Sequence, residues 1–162
     1  MVIEKDFLVI GLGNPILSDD GVGWVVAEQL RAKIKNPKVD FLLLTLGGLR
    51  LMERLVGYRH VIIIDAVVTG QHPPGYILQF PLADFPDPSA GHTTSVHDTS
   101  LLNAIRVGRE MGLDLPEEID VIAVESVNIK DFSERLTPHV ADAVPRAVQL
   151  VNQWLSERMN NQ

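Results

Sequence analysis

GLGNPILSDDGVG, residues 11–23, is the stretch whose reading decides the fold. An apolar run at residues 7–10 leads into it, and Val22, Val25, Val26, Gln29 and Leu30 follow it at helical spacing. The pattern predicts a strand, a glycine-bracketed turn and a helix. Ser18 is placed to cap that helix, because a serine hydroxyl accepts from a first-turn amide, and the acids after it suit the positive end of the helix dipole. Asn36-Pro37 predicts the helix end near residues 35–37.

The unit then repeats. Residues 39–44 predict a second strand, and Gly47-Gly48 opens a shorter helix through Leu51 and Leu55 towards Gly57. Residues 61–64 form a β-branched run of the kind covered on both faces, with Asp65 at its end. A loop at 69–74 precedes a fourth strand at 76–80, expected at an edge and stopped by Pro81. Residues 81–96, rich in Pro, Ala, Ser, Gly and Thr, make a long loop that delivers the chain to His97. A helix is predicted over 100–111, capped by Asp98 or Thr99 and ended by Gly112. A fifth strand at 119–124, an irregular polar passage at 125–138 and an amphipathic helix at 140–155 complete the chain.

Strands alternating with helices predict an α/β protein, a single domain over residues 1–162. The expected architecture is three-layer αβα, a mostly parallel, twisted, five-stranded sheet with helices on both faces. Ligands of such sheets sit beyond the carboxyl ends of the strands where strand order reverses, and an order beginning 2-1-3 sets strands one and three side by side. Asp19 and Asp20 then lie close to Asp65.

Composition narrows the chemistry. The chain of 162 residues carries a net charge of -7 and no basic run, which argues against nucleic acid held through phosphates. The absence of cysteine excludes disulfides, thiolate metal sites and a cysteine nucleophile, so any metal must be held by oxygen or imidazole. The first eleven residues lack the layout of a signal peptide and no apolar run reaches the length of a membrane span. A cytoplasmic protein without a membrane partner is expected.

The glycines invite a dinucleotide reading, but Ile16 breaks the G-x-G-x-x-G pattern and the second strand ends at Leu44-Thr45 without an acid for a ribose. Two aspartates would also repel a pyrophosphate. Walker, H-E-x-x-H and G-x-S-x-G motifs are absent. There remain the Asp19-Asp20 pair, Asp65 and His97, delivered to one edge of the sheet. Carboxylates with one imidazole suit a borderline divalent metal such as nickel or zinc, with open positions left for a partner's groups.

Each of these residues also has a plainer reading. Asp19 fits a helix-start acid bound to exposed amides, Asp65 a buried acid accepting backbone hydrogen bonds, and His97 a helix-entry residue. His92, in the same loop, competes for the imidazole role. His60, His72 and His139 read as surface or turn residues, Glu125 as a structural acid, and the glycines as positions of special backbone shape or close packing.

GLGNPILSDDGVG, VIIIDAV at 61–67, SVHDTSL at 95–101, and the later AVES and LTPHV together resemble the hydrogenase maturation endopeptidases, in register from Phe7 to about Leu155. The resemblance implies an aspartic-type peptidase that trims a C-terminal extension from the large-subunit precursor of a nickel-iron hydrogenase once nickel is inserted. Nickel then arrives with the substrate, other divalent metals being able to stand in its place. The family's metal-binding acids and histidine fall on Asp20, Asp65 and His97, which are also the expected catalytic residues. Many relatives follow the histidine with Gln and a Gly-Leu pair, whereas Asp98-Thr99-Ser100-Leu101 stands here, a difference that bears on substrate contact and on which hydrogenase is served.

On this reading a metal-polarised carbonyl or metal-bound water supplies the chemistry, with Asp20 or Asp65 as general base. The expected protein is a monomer acting on the precursor. Two other classes stay open. GLGNP also begins peptidyl-tRNA hydrolases, although their continuation is replaced here by ILSDDGVG and the net charge is acidic. A nickel-dependent chaperone that inspects the precursor without cutting it is the third.

Overall fold

Alternation along the first strand sets the layers. In a computed structural model that describes residues 5–84 and 96–162, the side chains of 96–100 excepted, all six residues of Phe7–Leu12 are buried. Phe7 and Val9 pack into one apolar layer, while Leu8, Ile10 and Leu12 pack into another, as side chains of a strand covered on both faces must. The elements in chain order are β1 (Phe7–Leu12), α1 (Val22–Lys33), β2 (Val39–Leu44), α2 (Gly48–Leu55), β3 (His60–Val67), β4 (Ile77–Pro81), α3 (Val96–Glu110), β5 (Glu118–Glu125) and α4 (Pro138–Met159).

The sheet runs β2-β1-β3-β5-β4, with β4 alone antiparallel to its neighbour and at an edge. The first layer joins the sheet to α1 and α4, with Trp154 fully buried among Phe7, Ile62 and Ile122. The second joins it to α2 and α3 through Leu51, Leu55, Leu101 and Ile105. The expected αβα fold and the 2-1-3 reversal of strand order are therefore present.

Four local expectations are corrected. Ser18 does not cap α1: it has φ 51°, opens a 3-10 turn over Ser18–Gly21, and its Oγ donates to the Arg135 carbonyl at 3.0 Å. Asp65 does not end its strand, because β3 continues to Val67 in register with β5. Asp98 and Thr99 lie inside α3, whose first residue is Val96. His60 is no turn residue; it opens β3, stacks on Phe7 with ring centroids 5.2 Å apart, and places Nδ1 3.0 Å from Glu118.

Direction matters for α3. Its C-terminal side leads to Asp114, whose carbonyl accepts from Gly57 N, and to Glu117, whose N–H donates to Arg59 O, immediately before β3 begins. The helix therefore ends at the amino edge of the sheet. Its first turn, with His97, lies at the carboxyl edge.

Candidate functional site

Contact between two glycines builds the floor of the site. A Cβ on Gly11 would be driven into the Gly23 carbonyl, and one on Gly23 into the carbonyl oxygens of Ile64 and Leu12. Only backbone without side chains lets the start of α1 settle between the carboxyl ends of β1 and β3. The glycines of residues 11–23 thus serve close packing. The 3-10 turn that carries Asp19 and Asp20 is held against β3 as a result.

The two aspartates of that turn face different ways. Asp19 is fully buried, and its carboxylate accepts from Val127 N at 3.2 Å, Asn128 N at 3.1 Å, Thr137 N at 2.7 Å and Thr137 Oγ1 at 2.9 Å. Its own N–H donates to Asn128 O at 2.8 Å. The amides it binds belong to the segment after β5, not to the helix it precedes, so the plainer reading holds in kind but with different partners. Asp20 is half-buried, and its Oδ2 accepts from Asn14 N at 2.9 Å, closing the loop 14–20 on itself.

Asp65 is 1% exposed on β3, beside Ala123 of β5. Its Oδ1 accepts from Ala66 N at 2.8 Å. By strand parity it shares a face with Val61, Ile63 and Val67, which pack towards α2 and α3. The structure therefore brings Asp20, Asp65 and the backbone of His97 to one edge of the sheet. The side chain of His97 and the whole of His92 lie outside the described residues. Among the described residues no group of three or more His, Asp or Glu is arranged to hold a metal ion.

Glu125 closes the same edge. It is 2% exposed, and its carboxylate accepts from Thr69 N at 2.8 Å and from Thr69 Oγ1. Its backbone pairs with Gly75 and Tyr76, so this acid fixes the loop between β3 and β4. His72 stacks on Tyr76 in that loop, with ring centroids 4.3 Å apart. Thr69 and Thr137 were not singled out from the sequence. A signal existed for Thr137, which lies in LTPHV, while AVES marks the acid Glu125 and not the Thr69 that binds it.

The family profile described as HycI, hydrogenase maturation protease, matches residues 25–154. The chain belongs to the hydrogenase maturation proteases. The expression/formation protein HupD of Thiocapsa roseopersicina is 25% identical over 155 residues, covering 95% of this chain and 69% of that protein. The hydrogenase 2 maturation protease of Escherichia coli is 27% identical over 82% of this chain and 76% of its own. Among solved structures, the hydrogenase maturating endopeptidase HybD from E. coli superposes with a TM-score of 0.80 at 26% identity, over 94% of this chain and 93% of that one. In this chain the turn that carries Asp20 packs against β3, the strand that carries Asp65. No helix among the described residues is long and apolar enough to cross a membrane.

Proposed function

We propose that this maturation protease removes a C-terminal extension from the large-subunit precursor of a nickel-iron hydrogenase after nickel insertion, reading the nickel as part of its substrate. The observation that carries the reading is the convergence of Asp20, Asp65 and the His97 turn at the carboxyl edge, on a chain of this family. Two carboxylates and an imidazole form a donor set suited to a borderline cation, and a chain without cysteine leaves thiolate ligation to the substrate. Nickel held jointly would orient the precursor, so that recognition and positioning of the scissile bond coincide.

Asp20 and Asp65 have separate duties available. The half-buried Asp20 is reachable from solvent and is the better placed to exchange a proton with water, making the protease aspartic-type in character. The buried Asp65 is held on a rigid strand, which suits an orienting ligand. The reading carries with it a cytoplasmic, monomeric enzyme that meets the precursor there.

The test is an incubation of purified protein with nickel-loaded and nickel-free precursor, followed by mass measurement of the precursor. The nickel-loaded form should shorten at its C-terminus while the nickel-free form stays intact. Folded Asp20→Asn, Asp65→Asn and His97→Ala proteins should each lose about 100-fold or more in rate. Normal trimming by all three would refute the site, and binding without cutting by the unaltered protein would make it a chaperone.

A further inference from the structure

The structure assigns a docking surface for the folded precursor to the strap formed by residues 126–137 and to Ile16 beside it, an inference that rests on the protease reading above. Phe132 is 85% exposed, Val127 60% and Ile16 47%. Ile16 and Phe132 lie on segments joined through the backbone, and Val127 is tied to the same turn through Asp19. Leu17 and Ser133 form a parallel bridge, Ser133 N donates to Ile16 O at 3.0 Å, and Ser18 N donates to Ser133 O at 2.8 Å. That bridge sets the backbone of Ile16 beside the strap at Phe132 and Ser133.

The strap is pre-ordered. Asp19 fixes both of its ends through Val127, Asn128 and Thr137, and Asn128 Oδ1 accepts from the amides of Lys130 at 3.3 Å and Asp131 at 3.1 Å. Phe132 is thereby held out in water on a loop that pays no ordering cost when a partner arrives. Large aromatic side chains in such a setting are the usual anchors of protein interfaces. Exposed Lys130, Asp131, Glu134 and Arg135 flank it, giving the polar rim that surrounds an apolar interface centre.

Position selects the occupant. Ile16 lies within the loop that Asn14 N closes onto Asp20, so a protein whose cleavage site reached Asp20 would bring its neighbouring surface close to Ile16 and the strap bridged to it. An endopeptidase acting on a folded precursor must bear the body of that protein as well as its tail. The occupant is therefore the precursor's folded surface beside the tail, an apolar patch with polar margins.

The experiment measures binding of nickel-loaded precursor, and separately kcat and KM, for the double variant Ile16→Ser/Phe132→Ser, for Phe132→Leu, and for Met111→Ser. Met111 is 72% exposed just beyond the C-terminal end of α3, at the opposite edge, and serves as a control. The double variant should bind about tenfold or more weakly and raise KM by the same factor, with kcat and Tm near wild type. Phe132→Leu should restore most of the binding, and Met111→Ser should change nothing. Unchanged binding and KM in the double variant, or a loss confined to kcat, would overturn the docking surface. Wild-type protein that binds without cutting would refute the protease reading while the binding comparison still decides the surface; wild-type protein that does not bind overturns both.

Discussion

At the amino edge of the sheet Arg158 lies between Glu118 and Asp120, whereas at the carboxyl edge Asp19 and Glu125 are held by amides and hydroxyls. The guanidinium of Arg158 donates to both oxygens of Glu118, at 2.7 and 2.5 Å, and to Asp120 at 3.1 Å, and it stacks over Trp154. Trp154 Nε1 adds a bond to Asp120 at 2.7 Å. Charge there is balanced by charge. At the other edge the donors to Asp19 are three backbone N–H groups and one threonine hydroxyl, and among the described residues no cation pairs with it. An edge built in that way suits the cation of the proposed function, while the amino edge uses its acids to fasten α4 to β5.

Removing the carboxylate of Asp19 should produce the largest effect. Asp19→Ala leaves the part-buried amides of Val127, Asn128 and Thr137 without their acceptor, a loss of about 3 kcal/mol in denaturant unfolding. Precursor processing should fall as well, because Asp20 sits on the turn that Asp19 anchors. At the amino edge, Arg158→Met takes away a partly exposed cation and should cost about 2 kcal/mol, less than breaking a fully buried pair. Its processing rate, measured below the unfolding transition, should stay at the wild-type value. Equal losses of processing in the two variants would erase the distinction between the edges.

The difference was only half legible in the sequence. Apolar runs ending at Gly, Asn or Pro revealed the strands and helices, and a 2-1-3 strand order brings Asp20 and Asp65 to one edge. Asp19 and Asp20 could not be told apart by spacing, because their roles depend on which of them meets the strap far along the chain. Ser18 looked like a cap since side-chain chemistry is local, but its positive φ and the 3-10 turn come from packing against residues 133–135. Helical periodicity showed that α4 has a buried face, yet it stopped short of Arg158 and gave no sign that Glu118 lay opposite. His60 read as a surface or turn residue. The pairing of β3 with β1 and β5 overrode that reading.

The charge balance of the amino edge can be sharpened by pH. Hydrogen bonding from Arg158, before any other cause, holds the Glu118 carboxyl below its ordinary value. A carboxyl lowered in the folded state contributes stability that is present above the ordinary carboxylate range and is lost as pH falls through the folded value. Asp120 runs the other way, pushed up first by burial, so acidification returns part of what Glu118 loses. The Tm advantage of wild type over Glu118→Gln should therefore shrink on going from neutral pH to below about pH 4. A constant gap would show that the ion pair is without weight in folding.

The smallest effect belongs to Tyr58, also at the amino edge, whose hydroxyl donates to Asp40 Oδ2 at 2.6 Å. Burial first, then the hydrogen bond and charge of Asp40, push its phenol well above the ordinary range. A phenol raised in the folded state stabilises below the unfolded value, about 10, and that contribution disappears as pH rises through the folded value. At neutral pH wild type should exceed Tyr58→Phe by about 1 kcal/mol, the net worth of one hydrogen bond to a charged acceptor in a half-exposed place. Above about pH 10 the two stability curves should converge, because the unfolded wild-type chain gains from ionising its phenol and the phenylalanine variant does not. Lys5, 3.7 Å from Asp40 and over the Tyr58 ring, shares the carboxylate, so a Lys5→Met background should widen the gap at neutral pH and delay the convergence. Parallel curves to high pH would mean that the hydroxyl of Tyr58 leaves Asp40 to Lys5 in solution.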